Sequence, residues 1–332
     1  MLVDIVNEQV KTTCVYLIII NNHVNETLLR KIDPKVEIIR INRNPKSRNP
    51  IPILKLNRLL LDMKPDVIHC HNLKTIRLLL FFFHKKMIVT IHDMMTSHPI
   101  LTKYRKVFSI SRAVKMNLFK KQQLNTDVIY NGIDTSTIKT KFLNKNLKNF
   151  NILQIARLNT QIKGQHLLIE AIRKIVCENQ SIDIHLDFIG EGDSFPYLNK
   201  LVQDWHLDKY ITFLGIKDRS YIYNHLHEYD LLVHPSLYEG FGLTVAEAMV
   251  AKVPVLVSDN DGPMEVIAGG QFGYHFKTGD VDDLADKIMQ ILSNCHGMED
   301  HQKMIDAAYQ YTVANFDVKN TAQNYLTAYR EI

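Results

Sequence analysis

Residues 231–258 read LLVHPSLYEGFGLTVAEAMVAKVPVLVS. This stretch contains a short apolar run, a turn with two glycines, a helical pattern and a second short apolar run. Such an alternation is typical of βαβ units, in which a helix joins two parallel strands. The stretch therefore predicts one unit of a parallel, helix-covered sheet.

The same alternation extends along the rest of the chain. In the first half, strand-like CVYLIII (14–20) and KMIVTIHD (86–93) stand with helix-like IPILKLNRLLLDM (51–63), and a second series begins at FNILQIARL (150–158). Two series of this kind predict an α/β fold of two doubly wound, Rossmann-like domains that face each other across a cleft. In such sheets a ligand binds at the carboxyl ends of the strands.

The polar, basic stretch between the two series marks the boundary between the domains. We predict an N-terminal domain over residues 1–139, a linker over 140–149 and a C-terminal domain over 150–312. Residues 313–332 continue as a final helix.

The composition excludes several classes of protein. With 46% hydrophobic and 23% charged residues, the chain of 332 residues is typical of a soluble globular protein. Its four cysteines have no C-x-x-C spacing, so we expect free thiols in a reducing cytoplasm and no zinc site. No apolar run approaches the roughly 18–20 residues of a membrane span, and the acidic MLVDIVNEQV does not resemble a signal peptide.

The charge is divided unequally between the two halves. Residues 1–150 carry 26 Lys and Arg against 10 Asp and Glu, a net charge of +16, and the remainder carries 14 against 25, or −11. A basic half indicates an anionic partner, either an anionic membrane surface at the inner face or a diphosphate-bearing substrate, although solvated lysines are an equal alternative. No nucleic-acid-binding module accompanies the charge, so we expect no nucleic acid partner. LLLFFF (78–83) is expected to pack on the sheet as a helix rather than enter a membrane.

Two carboxylates in the opening stretch raise alternative roles. TVAE at 244–247 has the spacing of a capping box, with Thr244 as N-cap and Glu247 at the third helical position. Glu239 precedes the turn and cannot cap this helix, so it is either a ligand-binding group at a strand end or an exposed side chain. The glycines allow the backbone to approach a ligand closely.

Cationic and imidazole side chains follow other strands. Arg157 and Lys163, after the first strand of the second series, suit a diphosphate, although exposed cations are common in such loops. His92 follows a strand in the basic half and could bind a sugar or a phosphate. His69 and His71 have metal-like spacing but no evident third ligand, so we assign no metal.

Taken together, the motifs resemble glycosyltransferase family 4, a retaining group with the GT-B architecture. The resemblance rests on ARLNTQIKGQ, DFIGEGD, ITFLG, HPSLYEGFGLTVAEAM and PVLVSDNDGPMEVI, and on PDVIHCHN, TIHD, FSIS and VIYNGID in the first half. It implies an acceptor-side N-terminal domain and a C-terminal domain that binds a nucleotide-sugar. It also implies that the final helix packs back on the N-terminal domain.

The resemblance implies a role for each candidate residue. Arg157 and Lys163 would neutralise the donor diphosphate, and Glu247 would bind the ribose. Glu239 and His92 would act as catalytic residues on the donor sugar. Backbone amides of the glycine turn and the following helix would cradle sugar and phosphate; this set is Gly240, Phe241, Gly242, Leu243 and Thr244.

The function implied is a metal-independent, retaining transfer of a hexosyl or N-acetylhexosaminyl unit. The donor would be a nucleotide-sugar, used as co-substrate with no other cofactor. The acceptor would be a glycan or a lipid-diphosphate-linked saccharide in cell-surface polysaccharide synthesis. Alternatives are an inactive or partner-dependent nucleotide-sugar-binding subunit and a nucleotide-sugar epimerase.

One departure from the family concerns the start of the chain. The opening residues 1–10 resemble the first helix of the family rather than its first strand and Gly-rich loop, which leaves a gap in the first sheet. In an alternative reading, CVYLIII is itself the first strand, and NNHVNE (21–26) replaces the glycine loop.

Overall fold

The computed structural model describes residues 1–94, 98–141, 149–179, 181–294 and 299–332. Contacts divide the chain into a first unit, residues 1–134 with 316–332, and a second unit, residues 135–315. Most of the predicted linker, residues 142–148, lies outside the described residues.

The described strands are short, as expected of parallel sheets covered by helices. They are β1 (Tyr16–Asn21), β2 (Glu37–Arg43), β3 (Ile68–Cys70), β4 (Met87–Ile91), β5 (Lys106–Ser109), β6 (Asp127–Val128), β7 (Phe150–Ile155), β8 (Ile184–Ile189), β9 (Ile211–Gly215), β10 (Leu231–His234), β11 (Val255–Ser258) and β12 (Tyr274–Phe276).

The α-helices alternate with these strands and close the chain. They are α1 (Leu2–Gln9), α2 (Glu26–Leu29), α3 (Ile51–Met63), α4 (Arg112–Gln122), α5 (Thr160–Lys163), α6 (Gln165–Glu178), α7 (Phe195–Asp204), α8 (Arg219–His225), α9 (Leu243–Val250), α10 (Asp261–Val266), α11 (Val281–Asn294), α12 (Glu299–Phe316) and α13 (Val318–Tyr329). Short 3₁₀ helices include Leu73–Leu78, Phe81–Lys86 and Pro99–Lys103. None of the helices in the described ranges is long and apolar enough to cross a bilayer.

The sheet of the second unit has the doubly wound order β12-β11-β10-β7-β8-β9, with all neighbours parallel. The first strand of the unit, β7, lies in the middle, and the order reverses between β7 and β10. The core consists of apolar side chains on the strands, such as Ile152 and Leu186, against the buried face of α6. The predicted α/β class is therefore confirmed, and the switch point of the sheet lies at β7 and β10.

The sheet of the first unit is in two pieces. One piece pairs β1 with β2, and the other has the order β3-β4-β5-β6. Among the described residues, β1 pairs only with β2 and β3 only with β4, so no strand pairing joins the two pieces.

Helix α1 connects the two pieces of this sheet. Ile5 packs in the cluster that contains Ile88 and Phe108 of the larger piece, while Val6 packs with Ile32 and Val36 beside the smaller one. On the larger piece, α13 contributes Val318, Ala322, Tyr325 and Ala328 to the cluster of Ile5. The last helix of the chain thus forms part of the core of the first unit.

Candidate functional site

The predicted donor-binding residues of the second unit follow two neighbouring strands. Arg157 and Lys163 follow β7, and Glu239 to Glu247 follow β10, which pairs with β7 in parallel. The carboxyl ends of these two strands flank the switch point, where an open α/β sheet leaves a crevice. The strand order therefore places these residues, which are far apart in sequence, at one edge of one sheet.

Hydrogen bonds join the two loops directly. The backbone N–H of Leu237, in the loop after β10, donates to the carbonyl of Ile162 in α5 at 2.8 Å. Gly164 follows α5 with φ of +64°, and a Cβ at this position would overlap the carbonyl oxygen of Pro235. A residue with a side chain therefore cannot occupy this junction without moving the loop.

Lys163, Glu239 and His234 form a partly buried charged cluster. The ammonium of Lys163 donates to Glu239 Oε2, and His234 Nε2 lies 3.3 Å from the same oxygen. The other carboxylate oxygen accepts the backbone N–H of Gly240 at 3.1 Å. Glu239 is therefore held by several partners, and its side chain is only 19% exposed.

The cluster keeps the Glu239 carboxylate ionised. Burial raises the pKa of this carboxyl, but the hydrogen bond from His234 and the charges of His234 and Lys163 outweigh burial, so the pKa lies well below its usual range. His234, of which the side chain is almost fully buried, also lies 3.1 Å from Ser236 Oγ. It was not singled out from the sequence, because a single histidine at a strand end has many structural roles.

The predicted capping box at Thr244 and Glu247 is wrong. Helix α9 begins at Leu243, and its N-cap is Gly242, with φ of +102° and no capping side chain. The hydroxyl of Thr244 lies 3.4 Å from His234 Nδ1 instead. The reason is the glycine, whose left-handed backbone turns the chain into the helix earlier than the capping pattern predicts.

Glu247 is oriented by an aromatic residue from a distant helix. The hydroxyl of Tyr223, in α8, donates to Glu247 Oε1 at 3.0 Å, and the guanidinium of Arg219 lies 4.8 Å from the centre of the Tyr223 ring. Burial, followed by the negative charge of Glu247, raises the pKa of Tyr223, so its hydroxyl stays protonated and donates. No local signal in the sequence pointed to Tyr223.

Arg157 and the backbone of the glycine turn complete the second-unit site. Arg157 is exposed and donates to Asp193 Oδ2 at 3.0 Å, while its carbonyl accepts from Gln165. Phe241 buries its side chain almost completely, so the backbone of this turn is fixed by the core. The predicted donor-binding residues Arg157, Lys163, Gly240, Phe241, Gly242, Leu243, Thr244 and Glu247, and the predicted catalytic residue Glu239, all follow β7 or β10, and among them Lys163 contacts Glu239 directly.

His92 lies in the first unit within a row of three histidines. Its Nε2 is 3.0 Å from Nδ1 of His71, and the His71 ring stacks on His69 at 4.5 Å. His69 in turn lies 2.7 Å from the Tyr329 hydroxyl and 2.8 Å from Thr90 Oγ1. This row links the end of β4 to α13.

The three histidines are neutral at pH 7. Burial lowers the pKa of His71 to about 4, and burial also lowers that of His92, although Asp93 opposes the shift. Burial, followed by the neighbouring imidazoles, lowers the pKa of His69. A search of the described residues found no group of three or more His, Cys, Asp or Glu side chains that could hold a metal ion.

Two glycosyltransferase sequence profiles match the two halves of the chain. Residues 136–311 match the sequence profile described as Glycosyl transferases group 1, and residues 16–137 match the profile described as Glycosyltransferase Family 4.

Curated relatives share moderate identity over part of the chain. The N-acetyl-alpha-D-glucosaminyl L-malate synthase of Bacillus anthracis is 28% identical over 216 residues, which are 63% of this chain and 55% of that protein. The poly(ribitol-phosphate) alpha-N-acetylglucosaminyltransferase of Staphylococcus aureus (strain COL) is 32% identical over 129 residues, or 39% of this chain and 25% of that one. The chain therefore spans about half or less of the length of these relatives.

A solved structure shows the same fold over the whole chain. Anabaena Alr3699/HepE, in complex with UDP-glucose, superposes with a TM-score of 0.82 and 19% identity, covering 100% of this chain and 95% of that one.

Proposed function

The chain belongs to the glycosyl transferases of group 1, and from this premise we propose that it transfers a sugar from a nucleotide-sugar donor with retention of configuration. The single observation that carries the proposal is the Lys163–Glu239–His234 cluster at the switch point of the second sheet. A carboxylate and an ammonium held side by side there suit a donor that presents sugar hydroxyls next to a diphosphate.

Positive charge at this site would stabilise the leaving group. As the bond between the sugar carbon and the diphosphate oxygen breaks, negative charge develops on the diphosphate. The ammonium of Lys163 has three N–H donors, of which one binds Glu239, so the others can reach the phosphate without breaking the pair. Arg157, which is exposed at the neighbouring loop, would supply a second cation. We propose that these cations make the transfer independent of metal.

The carboxylates would fix the two ends of the donor. Glu239, held ionised, would accept hydroxyls of the donor sugar, and Glu247 would accept the ribose hydroxyls beside Tyr223. The backbone of the glycine turn and the first turn of α9 would hold sugar and phosphate. His92 is proposed to bind the donor sugar from the first unit as a neutral imidazole.

Retention would follow from attack on the face that the leaving group vacates. The acceptor hydroxyl forms the new bond to the sugar carbon while the diphosphate departs, and its proton passes to the departing phosphate oxygen. No enzymic nucleophile is required in this scheme, in which Glu239 would hold sugar hydroxyls rather than attack the sugar carbon.

The proposed substrates rest on the two relatives and the solved structure. The solved neighbour binds UDP-glucose, and both relatives act with N-acetylglucosaminyl groups according to their names. We therefore propose a UDP-hexose or UDP-N-acetylhexosamine donor, and a glycan or lipid-linked saccharide acceptor in cell-surface polysaccharide synthesis.

Substitution of the cluster tests the proposal. Lys163→Ala and Glu239→Ala are each expected to abolish UDP release from UDP-GlcNAc or UDP-glucose in the presence of a glycan and lipid-extract acceptor panel. Lys174→Ala is the matched control, because Lys174 also pairs with a carboxylate, Asp282 at 2.9 Å, in the second unit. Full activity in both cluster variants would contradict the site assignment.

The two-piece sheet of the first unit favours a second candidate, a donor-binding subunit without activity of its own. Purified chain that binds UDP-sugars in calorimetry, but neither transfers nor hydrolyses them with any acceptor, would support that candidate. An epimerase would instead convert the donor in the absence of acceptor.

A further inference from the structure

The first unit exposes a group of large apolar side chains on two adjacent segments. On α3, Ile51 and Leu54 are 66% and 65% exposed, and Leu61 is also exposed. On the 3₁₀ helix Phe81–Lys86 and the residue before it, Phe81 is 81% exposed, with Leu80 and Phe82 beside it. Within LLLFFF, which was expected to pack on the sheet, Leu79 and Phe83 are buried while Leu80, Phe81 and Phe82 are exposed.

Contacts of Asn57 show that the two segments are neighbours. Its amide nitrogen donates to the carbonyl of Leu78 at 2.9 Å, and its amide oxygen accepts the N–H of Leu80 at 2.8 Å. Leu54 and Leu61 are three residues before and four residues after Asn57, so they flank it on the same face of α3. The exposed side chains of α3 and of residues 80–82 thus form one surface, which we call the α3–Phe81 surface.

Buried residues next to the α3–Phe81 surface anchor both of its segments to the core. Leu79 and Phe83, which bracket the exposed residues, are buried, and so are Leu56 and Leu60, which lie beside Asn57 on the packed side of α3. The Phe82 ring also contacts the Phe83 ring, with 4.5 Å between their centroids and 45° between their planes. The apolar side chains are therefore presented by an ordered scaffold, and their exposure is a property of the fold.

The charges around the surface are almost all positive. Residues 44–86 contain nine Lys and Arg and two Asp, a net charge of +7. The cations on and beside the two segments are exposed; they are Lys46, Arg48, Lys55, Arg58, Arg77 and Lys85. A protein partner would have to match both an apolar ridge and a dense positive charge, whereas an anionic bilayer offers both at once.

We propose that the α3–Phe81 surface binds the surface of an anionic lipid bilayer. Leu80, Phe81 and Phe82 enter the boundary between headgroups and acyl chains, and the surrounding lysines and arginines contact the anionic headgroups. The contact is peripheral, since α3 is far too short to span a bilayer. The proposal does not depend on sugar transfer and goes beyond the donor site.

Vesicle binding tests the proposal with the full chain. We expect the protein to sediment with phosphatidylcholine vesicles that contain 30 mol% phosphatidylglycerol, and at least tenfold less with phosphatidylcholine alone. Raising NaCl from 50 to 500 mM should weaken binding at least tenfold, because salt screens the exposed cations. Phe81→Ser combined with Leu54→Ser should reduce binding to anionic vesicles by tenfold or more.

Controls separate a lost surface from a lost fold. Ile216→Ser combined with Phe195→Ser removes two exposed apolar side chains of the second unit and should leave vesicle binding unchanged. Both double variants should keep the wild-type thermal shift with UDP, which reports on the donor site in the second unit. Lys85→Glu with Lys55→Glu should weaken binding without changing that shift.

Three outcomes would overturn the proposal. The first is vesicle binding by the Phe81 and Leu54 variant that equals wild type. The second is equal binding of wild type to neutral and anionic vesicles. The third is a concentration-dependent dimer of wild type that this variant abolishes while no form binds vesicles, which would assign the surface to a second copy of the chain.

Discussion

Replacing Glu239 by glutamine tests whether the Lys163–Glu239–His234 cluster stabilises the second unit. The substitution preserves the size of the side chain but removes the negative charge shared by Lys163 and His234. The Lys163 and Glu239 side chains are 22% and 19% exposed. Their interaction should therefore lie between that of a surface pair, about 0–1 kcal/mol, and the cost of breaking a buried pair, about 3–5 kcal/mol.

We accordingly expect Glu239→Gln to lower the free energy of unfolding of this unit by about 1–3 kcal/mol at pH 7. For a unit of this size, Tm would fall by about 2–4 °C for each kcal/mol. The assay is urea unfolding monitored by circular dichroism, and the midpoint of thermal unfolding is a second measurement. Loss of transfer activity is expected as well, but it is scored separately.

A matched control exists at the neighbouring loop. Arg157 and Asp193 are 3.0 Å apart, but their side chains are 69% and 91% exposed. Asp193→Asn should therefore change the free energy of unfolding by no more than about 0.5 kcal/mol, because water already solvates both charges in the folded chain and continues to solvate Arg157 after the substitution. The contrast between the two variants isolates the effect of burial on the same kind of ion pair.

The effect of Glu239→Gln should depend on pH. Because the pKa of Glu239 is lowered in the folded chain, its stabilisation is complete above the ordinary glutamate value of 4.5 and decreases as the pH falls below it toward the folded value. The difference in stability between wild type and variant should be constant from about pH 6 to 8 and narrow below about pH 4.5.

One result would refute this reasoning. If Glu239→Gln is as stable as wild type or more stable at pH 7, the cluster does not stabilise the fold. Burying the Lys163 ammonium and the Glu239 carboxylate would then cost more free energy than their mutual attraction returns.

Further predictions concern backbone, nucleotide site, first unit and metal. Gly164→Ala should destabilise the second unit by about 2–4 kcal/mol in urea unfolding, because its Cβ meets the Pro235 carbonyl, whereas Gly279→Ala, with open space around it, should cost about 1 kcal/mol. Tyr223→Phe should weaken UDP binding in calorimetry several-fold, because Glu247 loses the hydrogen bond from this hydroxyl. Burial lowers the pKa of His71 to about 4, so the unfolded chain binds a proton at this residue more readily than the folded chain does. The free energy of unfolding should therefore be unaffected by this residue above pH 6.5 and fall by up to about 3 kcal/mol as the pH falls toward 4. In His71→Asn, the dependence of the free energy of unfolding on pH should be weaker. Transfer assayed with excess EDTA should keep its rate.

Local patterns predicted most of the elements well. The helix expected over 51–63 is α3 with the same bounds, because its apolar spacing and flanking prolines act within a few residues. The capping box failed because Gly242, with its positive φ, starts α9 before Thr244. The spacing of Thr and Glu predicts a capping box but contains no information about the backbone angles of the glycine before them.

The candidate site was predicted as residues rather than as contacts. Lys163 and Glu239 were each singled out at a strand end, but the roles assigned to them were separate, and the ion pair between them was not foreseen. Tyr223 and His234 were missed, since neither belongs to a short motif that requires it. The exposure of Phe81 was also missed, because an apolar run alone does not show which side chains the fold buries.

The amino-acid sequence by itself determined the α/β class, the two successive series of strands and helices, and the identities of the charged groups at strand ends. These follow from hydrophobic periodicity and chain chemistry, which act over a few residues. Tertiary structure alone decided that β10 lies beside β7, and therefore that Lys163 meets Glu239 across 76 residues of sequence. It also decided that Tyr223 reaches Glu247 and that Phe81 stays outside. The physical reason is that strand order and burial depend on how the whole core packs, and no local pattern encodes that packing.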